Sequence, residues 1–335
     1  MKLTRRSFIG GAFASSLLCR TYCETGDSPD LRVGILSDTH VSYPIGDSRV
    51  KPFDYRSADA FRNALFYFRD RKVDAVVIAG DMTNSGMVDE LAVSANLWRE
   101  VFPANRRPDG GAVEPIVIYG NHEVLSWITQ TRQYKGDQKR LKELLAKSIH
   151  RDPAGEYEKA FGRRYEPIFA RRVKKRLFTC VNWGFEGLFP QWLDEHRDEL
   201  AIDAGCRFFH VQHPHPQETV YSDYYGVDYM LWAHVDQSLV TKALAKHPRA
   251  VAFSGHSHIP LTDPLSIWRG SFTSVATGAL CGTSAPKCYE ARRGEYRYAH
   301  GNHGLLMSVW PNDEVVIERL DFRSVVSLGA DWRIS

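Results

Sequence analysis

The sequence predicts an α/β domain with parallel strand pairing, and three observations predict it. Largely apolar runs at 30–36, 73–79 and 115–119 read as buried strands. The segments between them, about 57–70 and 88–101, carry apolar residues at helical spacing. Each run then stops at a short polar cluster, the end of the strand where open α/β sheets place their ligand sites. Strands alternating with helices argue for βαβ units.

Taken in order, the first run ends in Ser37-Asp38-Thr39-His40, and a loop containing Pro and Gly follows to about Asp54. The helix after it places Ala60, Ala64, Leu65 and Phe68 on one buried face. The second run ends in Gly80-Asp81-Met82-Thr83-Asn84, and the third, Pro115-Ile116-Val117-Ile118-Tyr119, in Gly120-Asn121-His122-Glu123. There a glycine is expected to let the chain turn sharply. The middle is less regular. Residues 136–150 read as a basic amphipathic helix. Residues 163–181 read as strands around the charged turn Arg171-Arg172-Val173-Lys174-Lys175-Arg176. Such a run can bind polyanions, but a solvated hairpin edge is the better reading. A helix at 191–200 precedes a strand at 207–212 that ends at His213-Pro214-His215-Pro216. Aromatic residues crowd 221–234, a helix follows at 236–247, and the strand at 250–254 ends in Gly255-His256-Ser257-His258. Later runs near 272–276, 304–310 and 314–322 alternate as strands do.

Composition narrows the function. The 335 residues are 43 % hydrophobic and 25 % charged, ordinary for a globular domain with a sizeable core. Net charge is only +3, and Lys2, Arg5 and Arg6 sit at the very start, so nothing suggests a specific nucleic-acid partner. Thr4-Arg5-Arg6-Ser7-Phe8-Ile9 followed by an apolar run to Leu18 reads as a twin-arginine export signal, too short to span a bilayer. The expected destination is the periplasm or another extracytoplasmic space. Cleavage at Ala12-Phe13-Ala14 and lipidation at Cys19 both stay open. No second long apolar stretch exists, so no transmembrane helix is expected in the mature protein. The division is residues 1–29 as signal and linker, 30–322 as one domain and 323–335 as a tail. None of the six cysteines forms a Cys-x-x-Cys pair, which argues against a zinc ribbon or redox motif. Cys281 with Cys288 is the best candidate disulfide, although isolated thiols are the better reading.

Five strands therefore end in residues able to bind metal: Asp38 and His40, Asp81, Asn121 and His122, His213, and His256 and His258. Singly, each has a bland explanation as a cap, a turn or a loop histidine. Jointly they offer carboxylate, imidazole and amide ligands suited to Mn, Fe, Zn or Co, in a number that suits two ions. In the fourth block His213 ranks ahead of His215 and His210. Gly301-Asn302-His303 imitates the third block but begins a strand, and reads as a turn.

These blocks resemble the calcineurin-like metallophosphoesterase superfamily, with its Asp-x-His, Gly-Asp, Gly-Asn-His-Asp/Glu, His and Gly-His-x-His order. The resemblance implies a four-layer αββα sandwich, two mixed sheets flanked by helices, with a dinuclear metal site at the C-terminal strand ends. It implies that Asp38, His40 and His258 bind one divalent ion, that Asn121, His213 and His256 bind the other, and that Asp81 bridges. It further implies His122 as general acid, with Glu123 orienting its ring, while the ions supply a hydroxide for in-line attack on a small phosphomonoester or phosphodiester substrate. Asn84 stands where purple acid phosphatases carry an iron-binding tyrosine, and no arginine soon follows Glu123 as in protein Ser/Thr phosphatases. The set looks more like class III cyclic-nucleotide phosphodiesterases. The alternative is a non-catalytic metal- or ligand-binding module on the same fold. Substrate, native metals and oligomeric state are not legible.

Overall fold

The computed structural model describes residues 28–42, 57–125, 131, 135–203, 205–220, 237–283 and 301–335. The signal segment, Cys19, Cys288 and the aromatic stretch 221–234 lie outside the described residues.

Strands β1 (Leu31–Leu36), β2 (Ala75–Ala79) and β3 (Glu114–Ile118) pair in parallel in a seven-stranded sheet. Helices α1 (Ser57–Asp70) and α2 (Val88–Val101) form the two crossovers. The chain then builds a six-stranded sheet from β4 (Ile168–Val173), β5 (Arg176–Val181), β6 (Phe209–Val211), β7 (Val251–Ser254), β8 (Ile267–Arg269) and β9 (Thr273–Ala276), in the order β4-β5-β6-β7-β9-β8. It finally returns to the first sheet, where β10 (His303–Val309) lies antiparallel beside β1 and β11 (Val315–Asp321) beside β10.

Strand alternation assigns the layers. Val33, Ile35, Ala75, Val77, Ile116 and Ile118 point inward and meet Phe178, Phe209, Val211, Val251 and Phe253 of the second sheet. Their neighbours Leu36, Val76, Ile78 and Val117 point outward, onto Phe61, Leu65 and Phe68 of α1 and Leu91 and Trp98 of α2. The outer face of the second sheet, with Leu177, Phe208 and Ala252, packs on α5 (Phe189–His196) and α6 (Gln237–Leu244). The result is helices, sheet, sheet, helices, as the resemblance implies.

Several elements differ from the expectation. The helix expected over 136–150 stops at Ala146 as α3 (Gln138–Ala146), and a short 3-10 turn follows. An unforeseen helix α4 (Pro153–Phe161) starts with Asp152 capping the Gly155 N–H at 2.9 Å and ends at Gly162 in the left-handed region. Residues 323–335 are not a loose tail. They carry β12 (Val326–Ser327) and β13 (Trp332–Ile334), both paired with β11.

Candidate metal centre

The expected ligands come together where β1, β2, β3, β6 and β7 end. The two sheets deliver different chemistry. Asp38, His40, Asp81 and Asn121 leave the first sheet, and His213, His256 and His258 leave the second. Main-chain bonds carry the parallel pairing past the strand ends, from Asp38 N–H to Gly80 O, from His40 N–H to Asp81 O and from Gly255 N–H to His213 O.

Asp38 and Asp81 are almost wholly buried. His258 Nε2 lies 3.1 Å from Asp38 Oδ1, and His213 Nε2 lies 3.1 Å from Asp81 Oδ2. His40 Nε2 stands between the carboxylates, 3.8 Å from Asp38 Oδ1 and 3.8 Å from Asp81 Oδ2. Asp81, His213 and His256 offer ligand atoms all within 4.8 Å of one another, and so do His40, Asp81 and His122. Asp81 belongs to both of these groups, and His40, His258 and Cys281 form a third such group without it.

The backbone is bent to reach this arrangement. Asp38, His40, Asp81, His256 and His258 all have positive φ, between 41° and 70°. Non-glycine residues rarely adopt this region, and such strain gathers at functional sites. The motif glycines serve close approach. A Cβ on Gly120 would sit 2.2 Å from Asp81 Oδ1, and one on Gly255 would sit 2.5 Å from Asp38 Oδ2.

The electrostatics match a site for cations. Burial acts to raise Asp38, yet His258, followed by His40 and His213, holds it well below the usual carboxylate range. Asp81 is likewise lowered, by His213 and His122 against burial. In turn, burial acts to lower His213, but Asp81 and Asp38 lift it to about 9. Asn121 Oδ1 is buried without a hydrogen-bond partner, and His213 Nε2, though near Asp81, makes no well-directed hydrogen bond. Asn121 Oδ1, and His213 Nε2 once a cation has displaced its proton, are N and O ligands of the kind that divalent ions take, beside two carboxylates.

The three histidines of the fourth block separate clearly. His213 faces Asp81, and its Nδ1 donates to Ala79 O at 2.7 Å. This is the outer contact that fixes the tautomer of a ligating histidine. His215 is held by the Ser254 and Ser257 hydroxyls, and His210 by Thr179 and Gln212 against the Phe189 ring.

One expected role is corrected. Glu123 does not orient His122. Its Oε1 accepts the N–H and hydroxyl of Thr83, and its Oε2 accepts the N–H groups of Gly120 and Asp81. The His122 ring is set instead by its Nδ1, 2.6 Å from the Asn84 carbonyl oxygen. A carbonyl only accepts, so Nδ1 carries a proton and Nε2 is left toward Asp81, at 4.0 Å.

Two neighbours were not foreseen. Trp183 packs beside His213 and His256, with ring centroids 5.8 and 5.2 Å away. Asn182-Trp183-Gly184 ends β5 in the same way the other blocks end their strands, a signal present in the sequence. Cys281 has a free thiol 3.7 Å from His258 Nδ1. The Gly301-Asn302-His303 segment does not reach the ligands. Asn302 Nδ2 donates to Leu280 O and braces the segment that carries Cys281.

A family model described as calcineurin-like phosphoesterase matches residues 31–260. The chain belongs to the calcineurin-like phosphoesterase family. Solved structures similar to this family member include a purple acid phosphatase from yellow lupin (Lupinus luteus) seeds, at 14% identity and TM-score 0.55, over 91% of this chain and 53% of that one. A dimetal phosphatase from Danio rerio is similar at 13% identity and TM-score 0.47, over 92% and 99% of the two chains. The lupin likeness speaks to the fold alone, and the chain spans about half the length of that phosphatase (53%). No curated protein matches.

Proposed function

We propose that the chain hydrolyses phosphoric esters with two divalent ions, and that it does so outside the cytoplasm. The observation that carries the first part is the pair of buried carboxylates, Asp38 and Asp81, each met at 3.1 Å by an imidazole from the opposite sheet. Asp38, His40 and His258 would hold one ion, Asn121, His213 and His256 the other, and Asp81 both. Two such ions, when bound, activate water and offset the charge that develops on the phosphoryl oxygens.

The remaining chemistry belongs to the chain. His122, with Nδ1 tied to Asn84, presents Nε2 to the site and, as the imidazolium with both ring nitrogens protonated, donates the Nε2 proton to the leaving oxygen. Glu123 acts by position: it fixes Asp81 and Gly120 through their amides, so the bridging carboxylate and the following block keep their spacing. The Asn84 form argues for a phosphodiesterase-like member over a purple acid phosphatase. The export half rests on Arg5-Arg6 and the apolar run after them. Among the described residues no helix is long and apolar enough to cross a membrane.

The test is turnover of phosphomonoesters and phosphodiesters by purified protein, before and after chelator dialysis and after readdition of manganese. Metal-dependent turnover is expected. Stoichiometric metal binding with no turnover of either ester class would replace the enzyme with a binding module on the same fold.

A further inference from the structure

Strand β5 supplies no ligand, yet its end lies among the ligands. Asn182 and Trp183 follow Val181 directly, and Gly184, with φ of 89°, lets the chain turn after them. Asn182 is wholly buried. Its Oδ1 accepts the Tyr119 N–H at 2.7 Å, and its Nδ2 donates to Glu166 O at 2.8 Å. The Trp183 N–H donates to Tyr119 O at 3.0 Å. Both main-chain groups of Tyr119 are therefore held from the second sheet. Tyr119 follows β3 and stands two residues before Asn121.

The Trp183 side chain carries the contact further. It is only 5% exposed. Its ring meets His256 at 5.2 Å and His213 at 5.8 Å between centroids, and those two imidazoles meet each other edge to face at 4.9 Å. Among the described residues, these are the ring contacts of Trp183, and neither is with His40 or His258. Asn121, His213 and His256 are the residues that would share the second ion with Asp81. One dipeptide thus bears on all three of them, through the main chain just before Asn121 and through the rings of the two histidines.

Ring orientation matters to a metal ligand. An imidazole binds through a lone pair in its own plane, so rotating the ring turns the lone pair away from the ion. His213 has part of that freedom removed by the bond from Nδ1 to Ala79 O. A flat indole packed beside both rings restricts them further, and its apolar bulk keeps water from that side of the site.

We propose, on the two-ion reading above, that Trp183 is a positioning residue that governs affinity for the second ion selectively. It sets the His213 and His256 rings directly, and with Asn182 it sets the approach of Asn121. The first ion, held by Asp38, His40 and His258, is outside its reach.

The experiment measures cobalt(II) affinity by competition with a chromophoric chelator, using full-length chains that each keep one ligand set. His258→Ala keeps the ligands of the second ion, and His256→Ala keeps those of the first. Trp183→Leu fills space without a flat ring. Added to His258→Ala, it should weaken cobalt binding about tenfold, the lower end of the range for groups that surround ligands. Added to His256→Ala, it should leave affinity unchanged. Trp183→Phe should recover most of the loss. The visible absorption of the bound cobalt should change with Trp183→Leu in the first background and hold in the second. Trp183→Met, closer in volume, takes the place of Trp183→Leu if the latter does not fold. A residue that only stabilised the fold would act alike in both backgrounds. Equal losses in the two, or no loss in His258→Ala, therefore overturn the proposal. The chain without substitutions should bind two cobalt ions. Fewer than two would overturn the two-ion reading and this proposal with it, whereas two ions with an unselective Trp183→Leu overturn the proposal alone.

Discussion

The carboxylate of Glu123 accepts the main-chain N–H of Asp81 at 3.1 Å, and the same oxygen accepts Gly120 N–H at 2.8 Å. One buried side chain thus fixes the spacing of two strand ends that meet at the candidate metal centre.

Replacing Glu123 by Gln would turn an amide NH₂ toward main-chain donors or force it away from them. Hydrogen bonds to a charged group contribute about 1.5–3 kcal/mol, so Glu123→Gln should lower unfolding free energy by about 2 kcal/mol and weaken metal binding. Urea titration and metal analysis of the same preparation measure both. Unchanged stability would mean that these amides find other acceptors.

Gly120→Ala and Gly255→Ala place a methyl group against Asp81 and Asp38 respectively. Each should lose about 10–100-fold in metal affinity, the range seen when the surroundings of ligands are disturbed. Competition with a chromophoric chelator reads the affinity, and a wild-type value would show that the ligand loops yield without cost.

His122→Gln separates proton donation from metal binding. Metal content should hold. The rate should fall little on a p-nitrophenyl ester, whose leaving group is stable as an anion, and about 10²–10⁴-fold on an alkyl or nucleoside ester. His256→Ala should damage both substrates. Loss of metal in His122→Gln would make His122 a ligand, and equal losses on the two esters with metal retained would make it a phosphate-binding residue.

His210 predicts acid sensitivity away from the ligands. Burial lowers its pKa to about 4, with the Gln212 hydrogen bond opposing. Between pH 6.5 and 4 the unfolded chain takes up a proton that the folded chain refuses, so stability is lost as pH falls through that window. The full shift amounts to about 3 kcal/mol. In chelator, His210→Gln should lose less stability between pH 7 and pH 4.5 than the wild type does. Parallel pH curves would remove His210 from the account.

For export, Arg5 and Arg6 both changed to Lys should leave precursor inside the cell, read by fractionation of an epitope-tagged chain. Unchanged fractionation would count against the twin-arginine route.

Much of this architecture could be read before any coordinates. The strands are apolar and end abruptly, so their positions, and the meeting of residues 38, 40, 81, 121, 213, 256 and 258 at their ends, were legible. The harder parts have physical reasons. Strands β8 and β13 are three residues long, too short to show a period. Helix α4 buries chiefly Tyr157, so its apolar stripe is faint despite good end signals. The partner of His122 is a main-chain carbonyl, which any residue at 84 would supply, and Glu123 bonds mainly to amides, which have no letter in a sequence. Cys281 reaches His258 through long-range packing of a segment whose own pattern says nothing of metal.

The division of ligands between the sheets also has a consequence for synthesis. Asp38 leaves the ribosome some 220 residues ahead of His258, roughly 10–40 s at ordinary elongation rates. Through that interval the nascent first sheet presents Asp38 and Asp81 without their imidazole partners, and Val33, Ile35 and Val77 without their apolar cover. β1 also lacks its neighbour β10 until the chain is almost finished. A half-made chain therefore carries the exposed surface that chaperones bind. The metal centre can be completed only after most of the polypeptide has been made.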